Sequence, residues 1–370
     1  MPEYLNLSPG PTNYKHFLDI EEEGLIIPHG SRAFAELYSR TIGNLRILLN
    51  VPDQAEIVLI TTSGTGGIEA LLLNALEPGD RILVLSNGYF GERLARMAKT
   101  LGFDPYVIES EWDRPIEIEH ILEVIHSEEF RGTKAVAIVH LETSTGLLND
   151  IETLGRALKT SGVLYLVDAV SSVGPHLVEM DAWGIDGLAT VTYKGLLSPP
   201  GLSILVLSEK YCREMRSRPT RSFYFDLKKI IEFSQHSTTA MTVPINSLLT
   251  LDRVLNHILS QDKAQYCGEC SLIARSVRRE LIQIGYCIYG REGHSSGITA
   301  LKLDGIFGNL DARVELEKRY HVFVGSGLGK LQGKVIRIGH YGTLTHKEVH
   351  AVTALFCSIL EQQGRKCVLD

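Results

Sequence analysis

Cysteine is scarce in this chain, with six thiols thinly spread over 370 residues. A chain of that length builds its own core, so such usage excludes a small scaffold held together by a disulfide framework. Cys267 and Cys270 form a C-x-x-C pair, but a zinc site needs two more ligands and no second pair exists. They read as two thiols on a helix. Basic charge is also lacking: 37 Lys and Arg face 44 Asp and Glu, a net charge of −7. That balance excludes the basic stripe of a nucleic-acid binder. Long apolar runs are missing too. The longest, at 57–60 and 163–167, are strand-length and far short of the roughly 18 residues that span a bilayer. The start, Met1-Pro2-Glu3-Tyr4, has neither the basic residues nor the apolar stretch of a secretory signal. These absences point to a soluble, cytoplasmic protein. Internal repeats, low-complexity tracts and an obvious flexible linker are likewise absent. With 44% hydrophobic and 22% charged residues, the composition excludes a disordered or fibrous chain.

What is present is an alternation of apolar runs and amphipathic stretches. Residues 57–61, 81–85, 135–139 and 163–167 read as strands, with helices at 67–75, 91–101 and 150–160 between them. Shorter strands follow at 188–191 and 202–206. This order predicts an α/β domain with a mostly parallel sheet, whose ligands sit at the carboxyl ends of the strands. Beyond about residue 243 the pattern changes to long helices at 245–259 and 270–284. Short strands at 298–303 and 335–338 follow, with a last helix at 346–360. The expected division is a large domain over 1–250 and a smaller C-terminal α+β domain over 251–370, packed tightly together.

Four features follow strand ends. Thr61 to Gly67 reads Thr-Thr-Ser-Gly-Thr-Gly-Gly and opens a helix, where glycines permit close approach and the N-terminus favours an anion. It is neither a Walker loop nor a dinucleotide fingerprint. It is a phosphate cradle or a capped, glycine-rich connection. Asp168 follows the strand at 164–167, and such a residue serves a metal, a ribose or a protonated ring nitrogen, or caps a turn. Lys194 ends another strand among small residues, where burial depresses an amine pKa and makes a nucleophile. Arg337 lies within a strand, Val-Ile-Arg-Ile-Gly, and its planar fork suits a carboxylate ligand or a structural ion pair. Taken together, an anion cradle, a carboxylate for a pyridinium nitrogen and an amine for an aldehyde are the demands of pyridoxal 5′-phosphate (PLP).

The motifs resemble, in order, the class V, fold-type I PLP-dependent aminotransferases, most closely the serine–pyruvate/alanine–glyoxylate group. The resemblance runs from Ser8-Pro9-Gly10-Pro11-Thr12 through Thr62–Gly66, Asn87–Arg93, His140–Gly146 and Val167–Gly174. The lysine segment, with its Pro199-Pro200-Gly201, and Ile336-Arg337-Ile338-Gly339-His340 complete it. Asp168 precedes Lys194 by 26 positions (194 − 168), similar to the family's spacing.

The resemblance implies a large PLP-binding domain and a homodimer with its active site at the subunit interface. Lys194 would hold PLP as a Schiff base and act as the acid–base group, and Asp168 would pair with the pyridine nitrogen. Phe90 and Val170 would cover the two faces of the ring. Ser63, Gly64 and Thr65 would cradle the phosphate, and Thr143 would stand near the cofactor. Thr239 and Thr242 would complete the phosphate site of the neighbouring subunit. Gly10 and Arg337 would shape the substrate pocket, Arg337 gripping the α-carboxylate. No metal is implied. The reaction would be a ping-pong transfer from an alanine- or serine-like donor to a glyoxylate- or pyruvate-like 2-oxo acid. Two departures stand out: Thr239 where the family frequently has tyrosine, and Tyr193 where glutamine often precedes the lysine. Tyr193 is carried over as a cofactor-binding position, and the departure leaves open the contact near the cofactor's phenolic oxygen. The alternative is a 2-aminoethylphosphonate–pyruvate aminotransferase, to which Arg221–Leu227 lends weight, or a lyase or epimerase on the same scaffold. A non-enzymatic PLP or phosphate binder is disfavoured because it has no need of Lys194. Gly293–Gly297 has the G-x-S-x-G shape without the strand-to-helix turn that a hydrolase elbow requires.

Overall fold

Aliphatic runs too apolar to face water form the interior strands, and stretches with helical spacing cover them on both sides. A computed structural model describes residues 5–13, 17, 27–304, 311–341 and 344–362. In chain order the elements begin with β1 (Leu5–Leu7), α1 (Arg32–Leu48), β2 (Glu56–Thr61), α2 (Gly64–Ala75), β3 (Arg81–Ser86), α3 (Tyr89–Thr100) and β4 (Asp104–Glu109). Next come α4 (Ile118–Ile125), β5 (Thr133–Val139), the short pair β6 (Leu141–Glu142) and β7 (Leu147–Leu148), α5 (Ile151–Leu158) and β8 (Leu164–Asp168). β9 (Gly187–Val191), β10 (Leu202–Leu207), α6 (Glu209–Arg216), α7 (Leu227–Gln235), α8 (Ile245–Leu259) and α9 (Lys263–Gln283) follow. The chain closes with β11 (Ile298–Lys302), α10 (Ala312–Tyr320), β12 (Val322–Ser326), β13 (Val335–Gly339) and α11 (His346–Gln362).

Seven strands form the main sheet in the order β2-β10-β9-β8-β5-β3-β4. β10 runs antiparallel to both neighbours, and the remaining pairs are parallel, as the alternation of strands and helices predicts. The register sets Val139 opposite Asp168 and Asp168 opposite Ala189, so the carboxyl ends of β5, β8 and β9 share one edge. One apolar core lies on the face covered by α1, α4, α5 and α8, and a second on the face covered by α2, α3, α6 and α7. Among the described residues no helix is long and apolar enough to cross a membrane.

A second sheet of four strands, ordered β1-β12-β13-β11, packs with α9, α10 and α11 around a third core. Two observations cut across the division expected at residue 250. The first is that β1, from the start of the chain, pairs in parallel with β12 and so belongs to this second sheet. The other is that α8 spans the expected boundary. Its Leu248, Leu251, Val254, Leu255 and Ile258 are buried in the first core, as are Tyr266 and Cys270 from α9. The physical cause is α8's stripe of aliphatic residues, which is covered by α1 rather than by the second sheet.

Cys267 and Cys270 do lie together on α9 as free thiols, and burial pushes them up to about 11 and about 12. Cys357 is disulfide-bonded, a cross-link that the thin cysteine usage did not lead one to expect. Cys367 lies outside the described residues.

Candidate active site

The parallel strands deliver their following residues to one edge of the main sheet, and a cavity of about 190 Å³ opens there. It is lined by Gly64 and Thr65 from α2, Phe90 and Arg93 from α3, Val139 at the end of β5, and Leu141 and Thr143 after that strand. Asp168 ends β8 and Val170 and Ser171 follow it, Tyr193 and Lys194 follow β9, and Gly10 comes from the N-terminal segment. Nine of the positions expected from the sequence thus converge: Gly10, Gly64, Thr65, Phe90, Thr143, Asp168, Val170, Tyr193 and Lys194. A larger cleft of about 700 Å³, with Trp112, Tyr289 and Lys334 in its walls, contains none of them.

Lys194 and Asp168 face one another electrostatically. Burial pushes the Lys194 amine down to about 7, the Arg337 and Arg93 guanidiniums add to that depression, and Asp168 opposes it. That depression brings the neutral amine, the state that attacks a carbonyl, within reach near neutral pH. Its Nζ donates a hydrogen bond to the Pro9 carbonyl. For Asp168, burial pushes the carboxyl up, and the Val170 N–H, Arg93 and Lys194 counter it. The Val170 N–H donates to Asp168 Oδ1 at 3.0 Å, fixing the carboxylate at the mouth of β8.

Glycine keeps the space open. Gly10 has φ +132°, and a Cβ there would stand 2.6 Å from both Lys194 Cδ and Cε. At Gly64 a Cβ would come within 2.9 Å of Val170 Cγ2. A side chain at either position would fill the cavity or displace its wall.

Four expected residues, Ser63, Thr239, Thr242 and Arg337, do not line this cavity. Ser63 is exposed, and its hydroxyl accepts from the Gly66 N–H at 3.4 Å, so it caps α2. Thr239 bonds His29 and the Met241 carbonyl, and the Thr242 carbonyl accepts from the Thr61 hydroxyl at 2.7 Å. Thr242 thus sits at the end of β2, and both threonines lie outside the cavity of their own chain. Arg337 stands just behind the wall. It is 7% exposed, and its Nη1 donates to the Thr143 carbonyl at 3.3 Å and its Nε to the Ser326 carbonyl at 2.8 Å. Thr143 in turn shares a hydroxyl hydrogen bond of 2.7 Å with Ser171.

Tyr193, whose contact the sequence left open, lines the cavity. Its phenol accepts a hydrogen bond from the Gly64 N–H at 3.0 Å, which places it at the N-terminus of α2, the anion-favouring end. The cause is that the chain turns after β9, so the side chain before Lys194 points back along the sheet edge to α2.

Sequence reasoning missed Arg93, Val139, Leu141, Ser171 and the buried Glu142. Glu142 accepts from the backbone of Phe90 and Gly91, each at 3.1 Å, and from the Ser144 hydroxyl at 2.6 Å. It therefore anchors the first turn of α3, which carries Phe90. The available signal for Arg93 was its place one helical turn after Phe90.

A sheet edge that gathers a depressed lysine, a buried aspartate and a glycine-bounded cradle defines an α/β enzyme of the PLP-dependent fold-type I class. Residues 27–352 match the family model Aminotransferase class-V, and the chain belongs to that family. It is 30% identical to the L-aspartate–glyoxylate aminotransferase of Paracoccus denitrificans, over 91% of this chain and 86% of that one. It is also 29% identical to the soluble hydrogenase 42 kDa subunit of Anabaena cylindrica, over 97% of this chain and 93% of that one. The crystal structure of ureidoglycine–glyoxylate aminotransferase from Bacillus subtilis superposes with a TM-score of 0.89 at 25% identity, covering 100% of this chain and 95% of that one.

Proposed function

We propose that this protein moves the amino group of a small, alanine- or serine-like amino acid to a glyoxylate- or pyruvate-like 2-oxo acid, with PLP held at Lys194. The carrying observation is the buried pair of Lys194, its amine pushed down to about 7, and Asp168 in one glycine-bounded cavity. Support for the acceptor comes from the relatives: the aspartate- and ureidoglycine-using enzymes differ in donor yet both are named for glyoxylate.

When bound, PLP supplies an aldehyde and a ring that withdraws electrons from the substrate α-carbon. The chain's own groups do the rest. Lys194 Nζ is neutral in enough molecules near pH 7 to act as nucleophile and then to carry the α-proton. The Asp168 carboxylate pairs with a protonated ring nitrogen. Phe90 and Val170 hold the ring, while Thr65 and the N-terminus of α2 take the phosphate. Arg337, reached past Thr143, grips the α-carboxylate of donor and acceptor in turn. The exchange is ping-pong, the first product leaving before the second substrate binds.

The reading includes a cytoplasmic homodimer in which Thr239 and Thr242 of the partner subunit reach the phosphate end. The 90%-exposed Phe223 and the 41%-exposed Tyr224 support an interface there. Tyr224 donates to the Thr61 carbonyl at 2.7 Å, so this pair flanks the same end of β2 as Thr242.

A donor-by-acceptor activity screen of the wild-type protein and Lys194→Ala tests the proposal. Turnover of small α-amino acids with glyoxylate or pyruvate, abolished in Lys194→Ala, is the expected result. Full turnover in Lys194→Ala overturns the role of the lysine, and a preference for 2-aminoethylphosphonate overturns the α-carboxylate donor.

A further inference from the structure

Arg93 lies one turn along α3 from Phe90, and its guanidinium carbon sits 4.5 Å from the centre of the Phe90 ring. That distance fits a cation–π contact, which holds the charge in place without a carboxylate partner. The same side chain lines the cavity with Asp168 and Lys194. α3 is in turn fixed at its first turn by the buried Glu142, so Phe90 and Arg93 are carried on a clamped element.

We propose that Arg93 is an electrostatic positioning residue of this site, a permanent cation that favours the carboxylate form of Asp168 and the neutral form of the Lys194 amine. The proposal deepens, and rests on, the reading of Lys194 and Asp168 as the cofactor pair. An arginine stays charged at every relevant pH, whereas Lys194 loses its charge as it becomes reactive. Once that happens, Asp168 loses one of the two cations that counter its burial, and Arg93 is the other. The same positive charge makes protonation of Lys194 harder. One cation thereby serves both members of the pair. The charged groups facing Lys194 are Asp168 at the end of β8, Arg93 on α3 and Arg337 on β13. Arg337 is itself faced by Tyr341 and Glu142.

The test measures the pH dependence with which an amine-acylating reagent labels Lys194 in the full chain without added PLP, read by peptide mass mapping. Arg93→Gln, a substitution of similar helix propensity on a half-buried helix position, should keep the fold, as checked by circular dichroism. It should move the labelling midpoint upward by about one pH unit, which from a midpoint near 7 is roughly a fivefold loss of neutral amine at pH 7. Arg93→Lys keeps the charge and should restore the midpoint. An unchanged midpoint in Arg93→Gln overturns the proposal, and so do equal shifts in both variants, since shape rather than charge would then be responsible. A separate measurement guards the underlying reading: borohydride should fix PLP to Lys194 in the wild-type protein. If it does not, the cofactor reading fails, while the labelling curve still decides the role of Arg93.

Discussion

At the scale of single residues, the phenol of Tyr193 has the most specific consequence. A hydroxyl that accepts from the Gly64 N–H still has its own proton to give, and a phosphate at the N-terminus of α2 would receive it. A hydrogen bond to a charged group is worth about 1.5–3 kcal/mol, or roughly ten- to a hundredfold in affinity. Tyr193→Phe should therefore weaken PLP binding by about that factor. Binding of pyridoxal, which lacks the phosphate, should change little. Fluorescence titration with the two aldehydes checks this, and equal losses for both would place the hydroxyl elsewhere on the ring. The position was legible as a departure from the family, but the direction of its side chain was not. That direction depends on the turn after β9 and on where α2 begins.

At the scale of elements, α2 and α3 show how the first turns of helices build the pocket. Ser63 caps α2 from the exposed side, leaving the wall to Gly64 and Thr65. Replacing an N-cap serine by alanine costs about 1 kcal/mol. Ser63→Ala should accordingly lower unfolding free energy by about that amount, measured by urea denaturation, with PLP affinity nearly unchanged. A loss of affinity far beyond the loss of stability would return Ser63 to the cradle. The buried strands β5, β8 and β9 were legible because residues covered on both faces must be apolar throughout. β4 was not, since its residues are half-buried or exposed and its short apolar run, Tyr106 to Ile108, is flanked by Asp104-Pro105 and Glu109. α1 also escaped notice, although Ser31 caps it and Phe34, Leu37, Tyr38, Thr41, Leu45 and Leu48 bury one face. Its polar residues are numerous enough to hide the stripe until it is packed against α8.

At the scale of the whole molecule, the candidate active site draws on both sheets. Pro9 and Gly10 follow β1, which is stitched to β12, yet they touch Lys194 at the edge of the main sheet. Arg337 reaches the same place from β13. This arrangement couples the packing of the two sheets to the geometry of the pocket. The proposed homodimer adds a further layer, and sedimentation should give a species of twice the chain mass at micromolar concentration. Phe223→Asp, which sets a charge on the exposed aromatic, should shift that species towards monomer. A monomeric wild-type protein would remove the partner subunit's Thr239 and Thr242 from the phosphate site.

The sequence by itself determined the chemistry: an amine, a carboxylate and a glycine-bounded cradle placed directly after buried strands. Those signals are local, because a parallel sheet sends whatever follows its strands to one edge. Tertiary structure alone decided which distant groups complete the site. Lys194 meets Pro9 across 185 positions and Arg337 meets Thr143 across 194. Arg93 reaches the cavity shared with Asp168 and Lys194 only because α3 packs against it. Contacts of that kind arise from the packing of elements rather than from neighbours in the chain, so no spacing along the sequence encodes them.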